Sequence, residues 1–309
     1  MSIEALRKCF IEATKCTDWS LQLLKITASK DGAKYSSCQI TLSPSDKLSE
    51  LVKSLSTKYS GSGKGSLSSF SALQDYNGSA DGMTIYKLTS DSELISDEYS
   101  RLMDALATPD VEVEPYKYTS AYVISGEVEL DGVSAPVKLI SIQNPITILK
   151  HKFSLESKQN FKEIDKPILT LRNSVDVVIV DGIIYFLTLA GENLFNMARA
   201  YKAVCHSAVV TIEKAGFISE FDSFRTVAES GHNPRRFVSY DPSIVTALKN
   251  TNRRKAIAEK FSIPLDKENH FDASADGAAE KIVKLLCRKG MLDPIENNPV
   301  EVSNARQWQ

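Results

Sequence analysis

Val175-Asp176-Val177-Val178-Ile179-Val180-Asp181-Gly182-Ile183-Ile184-Tyr185-Phe186-Leu187-Thr188-Leu189 is the stretch whose reading decides the fold class. Two β-branched, apolar runs flank an Asp-Gly pair, and Gly accepts the positive φ that a tight hairpin turn demands. The stretch therefore predicts two antiparallel strands. Both runs are apolar at nearly every position instead of alternating, which places them in the middle of a sheet covered on both faces.

The same signal recurs upstream. Asp131-Gly132 joins an expected strand at 118–130 to one at 135–143, and Asp31-Gly32 joins one at 20–27 to one at 35–42. A helix is expected over 2–14. Another follows Pro44, where Ser43 can cap the free N–H groups and Asp46 stands at the capping-box position. Leu48, Leu51, Val52 and Leu55 then recur at helical spacing on one stripe. The Ser- and Gly-rich stretch 60–81 reads as loop, with a short strand at 83–88 after it. The next helix carries Ile95, Tyr99, Leu102, Met103 and Leu106 on one face and ends near Pro109.

Downstream of Gly191 the period changes from strand to helix and stays there. Leu194, Ala198, Tyr201, Cys205, Ala208 and Ile212 line one stripe of a long helix, and further helices are expected at 221–230, 242–248, 252–261 and 276–289. The expected class is α+β, with an N-terminal α/β lobe, a central antiparallel β meander with hairpins, and a C-terminal helical half. Two domains are expected, 1–112 and 113–309, the second joining the meander to the helices.

The composition, 42% hydrophobic and 25% charged over 309 residues, is that of a globular protein with a full core. The longest largely apolar run, 183–189, is far short of the roughly 20 residues a spanning helix needs. The first ten residues mix Glu4, Arg7 and Lys8 with apolar positions and lack a secretory signal's apolar core. A cytoplasmic chain is expected. Its five cysteines, Cys9, Cys16, Cys38, Cys205 and Cys287, are odd in number and never spaced as C-x-x-C, so reduced thiols are expected.

The net charge of −2 hides a segregation of charge. Between Asp91 and Glu114 eight acids (Asp91, Glu93, Asp97, Glu98, Asp104, Asp110, Glu112 and Glu114) face one base, Arg101. Between Gly231 and Lys260 seven bases (Arg235, Arg236, Lys249, Arg253, Arg254, Lys255 and Lys260) face Asp241 and Glu259. Clustered positive charge suits a phosphate backbone, and the neighbouring Phe237 and Tyr240 suit base stacking. The same tract also reads as a solvated helix face, or as the partner of the acidic helix across a lobe or subunit interface. Its helices are separated from the next by 262–275, too long for a helix-turn-helix, so sequence-specific reading is not expected.

Catalytic motifs fail on inspection. Gly61-Ser62-Gly63-Lys64-Gly65-Ser66 looks like a phosphate loop, but Gly65 stands where Ser or Thr must follow the lysine, and Lys58 stands where the first glycine belongs. His151, His206, His232 and His270 never share a helix face at ligand spacing, and the adjacent Cys205 and His206 diverge by about 100° on a helix. No metal and no cofactor is expected. The strongest enzymatic reading is a metal-dependent nuclease that uses Asp131 with Glu156-Ser157-Lys158, an order in which acids hold magnesium and lysine polarises phosphate. Asp131 is already accounted for by its turn.

The run from Leu171 to Met197, with Val175-Asp176 opening the hairpin and Glu192, Leu194 and Phe195 opening the next helix, resembles the KwaB family, the soluble component of the Kiwa anti-phage defence system. The resemblance covers residues 116–292 and follows the family's order: a variable first lobe, a β meander, an Asp-containing hairpin, then helices. It implies a cytoplasmic protein that binds DNA and acts with a small membrane partner, KwaA, to restrain phage replication. It supplies no catalytic residues. With it, the basic tract is expected to contact DNA without sequence preference, in a homodimer. A nuclease and an interaction scaffold that binds no DNA are the alternatives. Replacing Arg253, Arg254 and Lys255 together with Glu is expected to abolish DNA binding at unchanged stability. Should it not, Lys150, Lys152, Lys158 and Lys162 are the next candidates.

Overall fold

The computed structural model describes residues 2–29, 31–41, 46–63, 65–79, 82–110, 119–143, 152–156, 160–164, 171–292 and 299–301. Backbone contacts divide the chain into two compact units, Met1–Asp75 with Gly82–Met197, and Tyr76–Asp81 with Ala198–Gln309. The expected boundary between residues 112 and 113 lies outside the described residues.

The first unit contains α1 (Ile3–Ala13), β1 (Ser20–Ser29), β2 (Gly32–Ile40), α2 (Asp46–Ser60), β3 (Ala72–Asp75), β4 (Thr84–Thr89), α3 (Ser96–Ala107), β5 (Ala121–Leu130), β6 (Val133–Ile142), β7 (Lys152–Glu156), β8 (Asn160–Ile164), β9 (Val177–Val180), β10 (Ile183–Phe186) and the short α4 (Gly191–Leu194). Eight strands form one sheet in the order β2-β1-β5-β6-β9-β10-β4-β3, and β7 and β8 form a separate pair. Every neighbouring pair of the large sheet is antiparallel except β3 and β4. The α+β class holds. Edge strand β3 falls within the Ser- and Gly-rich stretch read as loop, because its four residues, Ala-Leu-Gln-Asp, carry too little pattern to announce a strand.

The two strong hairpins form at the expected turns. Leu130 pairs with Val133 and Val180 with Ile183, which leaves Asp131-Gly132 and Asp181-Gly182 as two-residue loops with all four φ angles positive. The first hairpin shifts by one residue: Ser29 pairs with Gly32, so Gly32 lies in the strand and not in the turn, at φ +127°. A Cβ there would lie 2.0 Å from Arg101 Nη1 and 2.7 Å from Glu98 Oε1, so a larger residue would displace those side-chain ends and strain the backbone at its positive φ.

All four residues of β9 are buried, as the unbroken apolar run predicts. Val178 and Val180 belong to a core shared with Leu6, Cys9, Phe10 and Ala13 of α1 and Val52, Leu55 and Tyr59 of α2. Val177 and Ile179 alternate to the other face and are equally enclosed. Each such side chain contributes about 1.5–3 kcal/mol through burial, so the hairpin is the centre of this unit's stability.

The second unit comprises α5 (Met197–Ala215), whose first residue closes the first unit, then β11 (Ile218–Ser219), α6 (Phe221–Ala228), α7 (Asn233–Arg236), α8 (Pro242–Leu248), α9 (Thr251–Phe261), β12 (Phe271–Asp272), α10 (Ala278–Leu286), β13 (Gly290–Leu292) and β14 (Pro299–Glu301). The expected long helix from Leu194 to Ile212 is interrupted: Asn196, at φ +47°, separates α4 from α5. The stripe from Cys205 to Ile212 nonetheless packs inward as expected, against Phe224 of α6, Leu248 of α8 and Ile282, Val283 and Leu286 of α10. Parallel pairing of β11 with β12 was not expected; two-residue strands have no readable period.

Candidate nucleic-acid interface

The basic tract spans α7, α8 and α9, and the structure sorts its cations by surroundings. Asp241 caps α8, its carboxylate accepting the Ser243 N–H at 2.8 Å. Asn250 caps α9 in the same way, accepting the Arg253 N–H at 3.0 Å. These two caps fix where the helices start and so which residues of α9 face outward.

Lys249, Arg253, Lys255 and Lys260 are exposed. None of the four makes an ion pair among the described residues. Arg253 and Lys260 are seven residues apart, two helical turns, and so lie on the same side of α9 about 10 Å apart along its axis. Arg254, between Arg253 and Lys255, points the other way and is 4% exposed. Its Nη1 donates to the Leu248 carbonyl at 2.7 Å, its Nε to the Asn269 carbonyl, and its Nη2 lies 3.4 Å from Thr251 Oγ1. The guanidinium ties the end of α8 and the 266–270 loop to α9. A spacing signal was available, since Arg254, Ala258 and Phe261 follow the i, i+4, i+7 stripe of an inward face.

Arg235 and Arg236 are also engaged within their unit. Arg235 donates from Nε to the Tyr76 hydroxyl (3.2 Å) and from Nη2 to the Ser79 carbonyl (2.9 Å). Arg236 donates to Asn233 Oδ1 at 2.7 Å and pairs with Glu280, whose other oxygen accepts from the Asn233 amide at 2.9 Å. Phe237, expected as a stacking neighbour, is 1% exposed in the helical core, and the Tyr240 hydroxyl is enclosed. The outward face of α9 thus offers positive charge without an aromatic platform from these two residues.

The other candidates are placed as follows. Asp131 occupies its turn and pairs with Lys8; Glu156 ends β7, while Ser157 and Lys158 lie outside the described residues. Lys152 and Lys162 fall within β7 and β8, and Lys150 lies outside the described residues. Of the phosphate-loop look-alike, Lys64 lies outside them too. His206 contacts Glu229 at 3.1 Å and His270 contacts Asp266 at 3.2 Å; His232 is exposed, and His151 lies outside the described residues. Among the described residues no group of three or more His, Cys, Asp or Glu could hold a metal ion. The five cysteines are free, and burial pushes the Cys205 and Cys287 thiols up to about 12. In the acidic stretch, Asp91, Glu93, Asp97 and Asp104 are exposed, Glu98 is buried, and Glu112 and Glu114 lie outside the described residues.

Asp176, at the opening of the decisive hairpin, is 1% exposed and structural. It accepts the Thr188 hydroxyl at 2.6 Å and the Ile142 N–H at 2.8 Å, and Arg172 Nη1 stands 3.4 Å away. The carboxylate joins the end of β6 to both ends of the β9–β10 hairpin.

An antiparallel-dominated sheet followed by a helical unit with an exposed cationic helix defines an α+β protein whose candidate site is a charged surface. The family model described as "Kiwa protein KwaB-like" matches residues 134–289, and the chain belongs to this family. Membership sets the protein in the context of Kiwa anti-phage defence. The matched region contains β9, β10 and the whole basic tract. No curated protein and no solved structure matches the chain. Among the described residues no helix is long and apolar enough to cross a membrane.

Proposed function

We propose that this protein is an anti-phage defence effector that binds DNA through the outward face of α9, without sequence preference, and acts with a membrane partner to restrain phage replication. The observation that carries the reading is the set of exposed cations Lys249, at the end of α8, and Arg253, Lys255 and Lys260 on α9, which make no ion pair among the described residues. Solvated lysines and arginines free of acidic partners release counterions on meeting phosphates, and that release drives sequence-independent binding. The burial of Phe237 and the enclosed Tyr240 hydroxyl favour contacts with the backbone over stacking with bases.

Of the seven expected contact residues, Arg254 is assigned to the interior of the helical unit, where it holds α9 in place without touching phosphate. Arg235 and Arg236 are fastened to Tyr76, Ser79, Asn233 and Glu280, so the reading rests on the exposed cations rather than on them. Kiwa family membership supports a partner from the same system, the small membrane protein KwaA, and we propose that the chain engages it as a homodimer.

The test replaces Arg253, Lys255 and Lys260 with Glu and measures retention of unrelated DNA duplexes of equal length. The wild-type chain is expected to hold all duplexes alike, and the variant to hold none at an unchanged melting temperature. Undiminished binding by the variant would move the site elsewhere.

A further inference from the structure

The helical unit contains one segment from far outside its own stretch of sequence, Tyr76–Asp81. Its described residues, 76–79, run as irregular chain over α7, with Gly78 at the point of closest approach. A Cβ on Gly78, at φ +73°, would lie 2.3 Å from the Arg235 carbonyl oxygen and 3.2 Å from the Val238 Cβ. Any larger residue would push this strap off α7.

The strap engages two cations. Arg235 donates from Nε to the Tyr76 hydroxyl at 3.2 Å and from Nη2 to the Ser79 carbonyl at 2.9 Å. Lys289, just beyond α10 and 7% exposed, donates to the Ser79 hydroxyl at 3.1 Å. Ser79 therefore holds both cations at once. Both belong to the neighbourhood of the basic face: Arg235 lies in the tract itself, and Arg288, next to Lys289, pairs with Asp241, the cap of α8.

Arg254 provides the contrast. Its acceptors at Leu248 and Asn269 lie 6 and 15 residues away in sequence, so they arrive with the local chain. The Ser79 acceptors of Arg235 and Lys289 lie 156 and 210 residues away, on described residues that form no helix or strand. Irregular segments open at lower free energy than the helices and strands they pack on. Opening of this one releases two cations together.

We infer that residues 76–79 form an autoinhibitory strap, which withholds Arg235 and Lys289 from phosphate until DNA draws them out. The inference rests on the DNA reading above and adds its regulation. With the strap closed, Lys249, Arg253, Lys255 and Lys260 are the cations available. With it open, Arg235 and Lys289 add two contacts, and a ligand that binds the open form more tightly shifts the chain toward it by that difference.

The experiment compares the full chain with its Gly78→Val variant, which displaces the strap without replacing a residue that bonds to either cation. Binding of one DNA duplex is measured across a salt series, with circular dichroism reporting folding. The variant should bind more tightly at low salt, and its plot of log binding constant against log salt should be steeper by about 1.8, or about 0.9 for each added phosphate contact. A folded variant whose slope matches wild type, or is shallower, overturns the inference. The second measurement needs no variant. Saturating DNA should speed amide exchange in the wild-type chain about threefold or more at Ser79, whose N–H donates to Asn77 Oδ1 at 2.9 Å. Unchanged or slower exchange there overturns the strap as well. If neither chain binds DNA, the DNA reading falls and the strap with it, whereas binding with an unchanged slope removes the strap alone.

Discussion

The β9–β10 hairpin and the α8–α9 segment are read from the sequence by opposite signals, and they differ in how well the signal survives folding. In the hairpin an unbroken apolar run becomes a strand buried at every residue. In α9 three consecutive basic residues have two fates: Arg253 and Lys255 face outward, while Arg254 is enclosed. Apolar burial is non-directional and scales with area, so pattern alone reports it. A guanidinium can be buried wherever enough acceptors surround it, and here the Leu248 and Asn269 carbonyls do so. Charge in a sequence therefore marks a candidate surface without saying which of its members reach it.

The largest test of this contrast lies within α9. Arg254→Ala removes the donors to Leu248 and Asn269 and leaves buried carbonyls unpaired, which should cost about 3 kcal/mol of stability. Arg253→Ala, one residue away and exposed, should stay within about 0.5 kcal/mol. Chemical denaturation measures both. Equal costs would erase the distinction. The expected behaviour of the triple Glu replacement at Arg253, Arg254 and Lys255 is corrected by the same fact: a buried Glu at 254 would unfold the unit, so loss of binding could not be assigned to phosphate contacts.

A smaller effect is expected in the sheet. Asp176→Ala leaves the Ile142 N–H and the Thr188 hydroxyl without their acceptor and should cost about 2 kcal/mol, with Asp176→Asn recovering part because it keeps an oxygen. Equal stability of the wild-type chain and Asp176→Ala would remove the carboxylate from the account of the hairpin.

The sequence was most informative where one physical effect acted alone. Asp-Gly pairs between apolar runs placed the β5–β6 and β9–β10 turns to the residue, because the positive φ angles at 131, 132, 181 and 182 admit few residue types, while β5 and β6 begin two or three residues from their expected starts. The first hairpin slipped by one because Gly32 serves a different need, close approach by Arg101 and Glu98, which no local pattern announces. The β3 strand, the Asn196 break between α4 and α5, and the β11–β12 pair were missed for a related reason: each depends on a distant partner or on one residue's conformation. In the candidate interface the tract was legible and its sorting was not, except through the stripe of Arg254, Ala258 and Phe261.

Acid should act on the helical unit through a named cap. The Ser243 backbone N–H, with Arg288 nearby, holds the Asp241 carboxyl below its ordinary value. A carboxyl lowered on folding stabilises fully above its unfolded pKa and loses that contribution as pH falls through its folded pKa. The melting temperature of Asp241→Ala should therefore lie below wild type near neutrality, with the gap closing on acidification. A gap that widens in acid would contradict the cap.

The smallest perturbation is chemical. Burial raises the Cys9, Cys205 and Cys287 thiols to about 12. A thiol reagent at mildly alkaline pH should therefore spare these three in the native chain while modifying the partly exposed Cys38. Mass spectrometry of the labelled peptides reads the outcome, and rapid labelling of Cys205 would show that the helical core opens more readily than its packing suggests.

The central claim is that the outward cations of α9 meet a phosphate backbone, and a salt series tests it most directly. The logarithm of the DNA-binding constant should fall linearly with the logarithm of salt concentration for the wild-type chain. Replacing Arg253, Lys255 and Lys260 with Gln should make the slope shallower by about 2.7, or about 0.9 for each phosphate contact removed. A wild-type chain that binds no DNA at low salt, or a Gln variant whose slope matches wild type, would contradict the account.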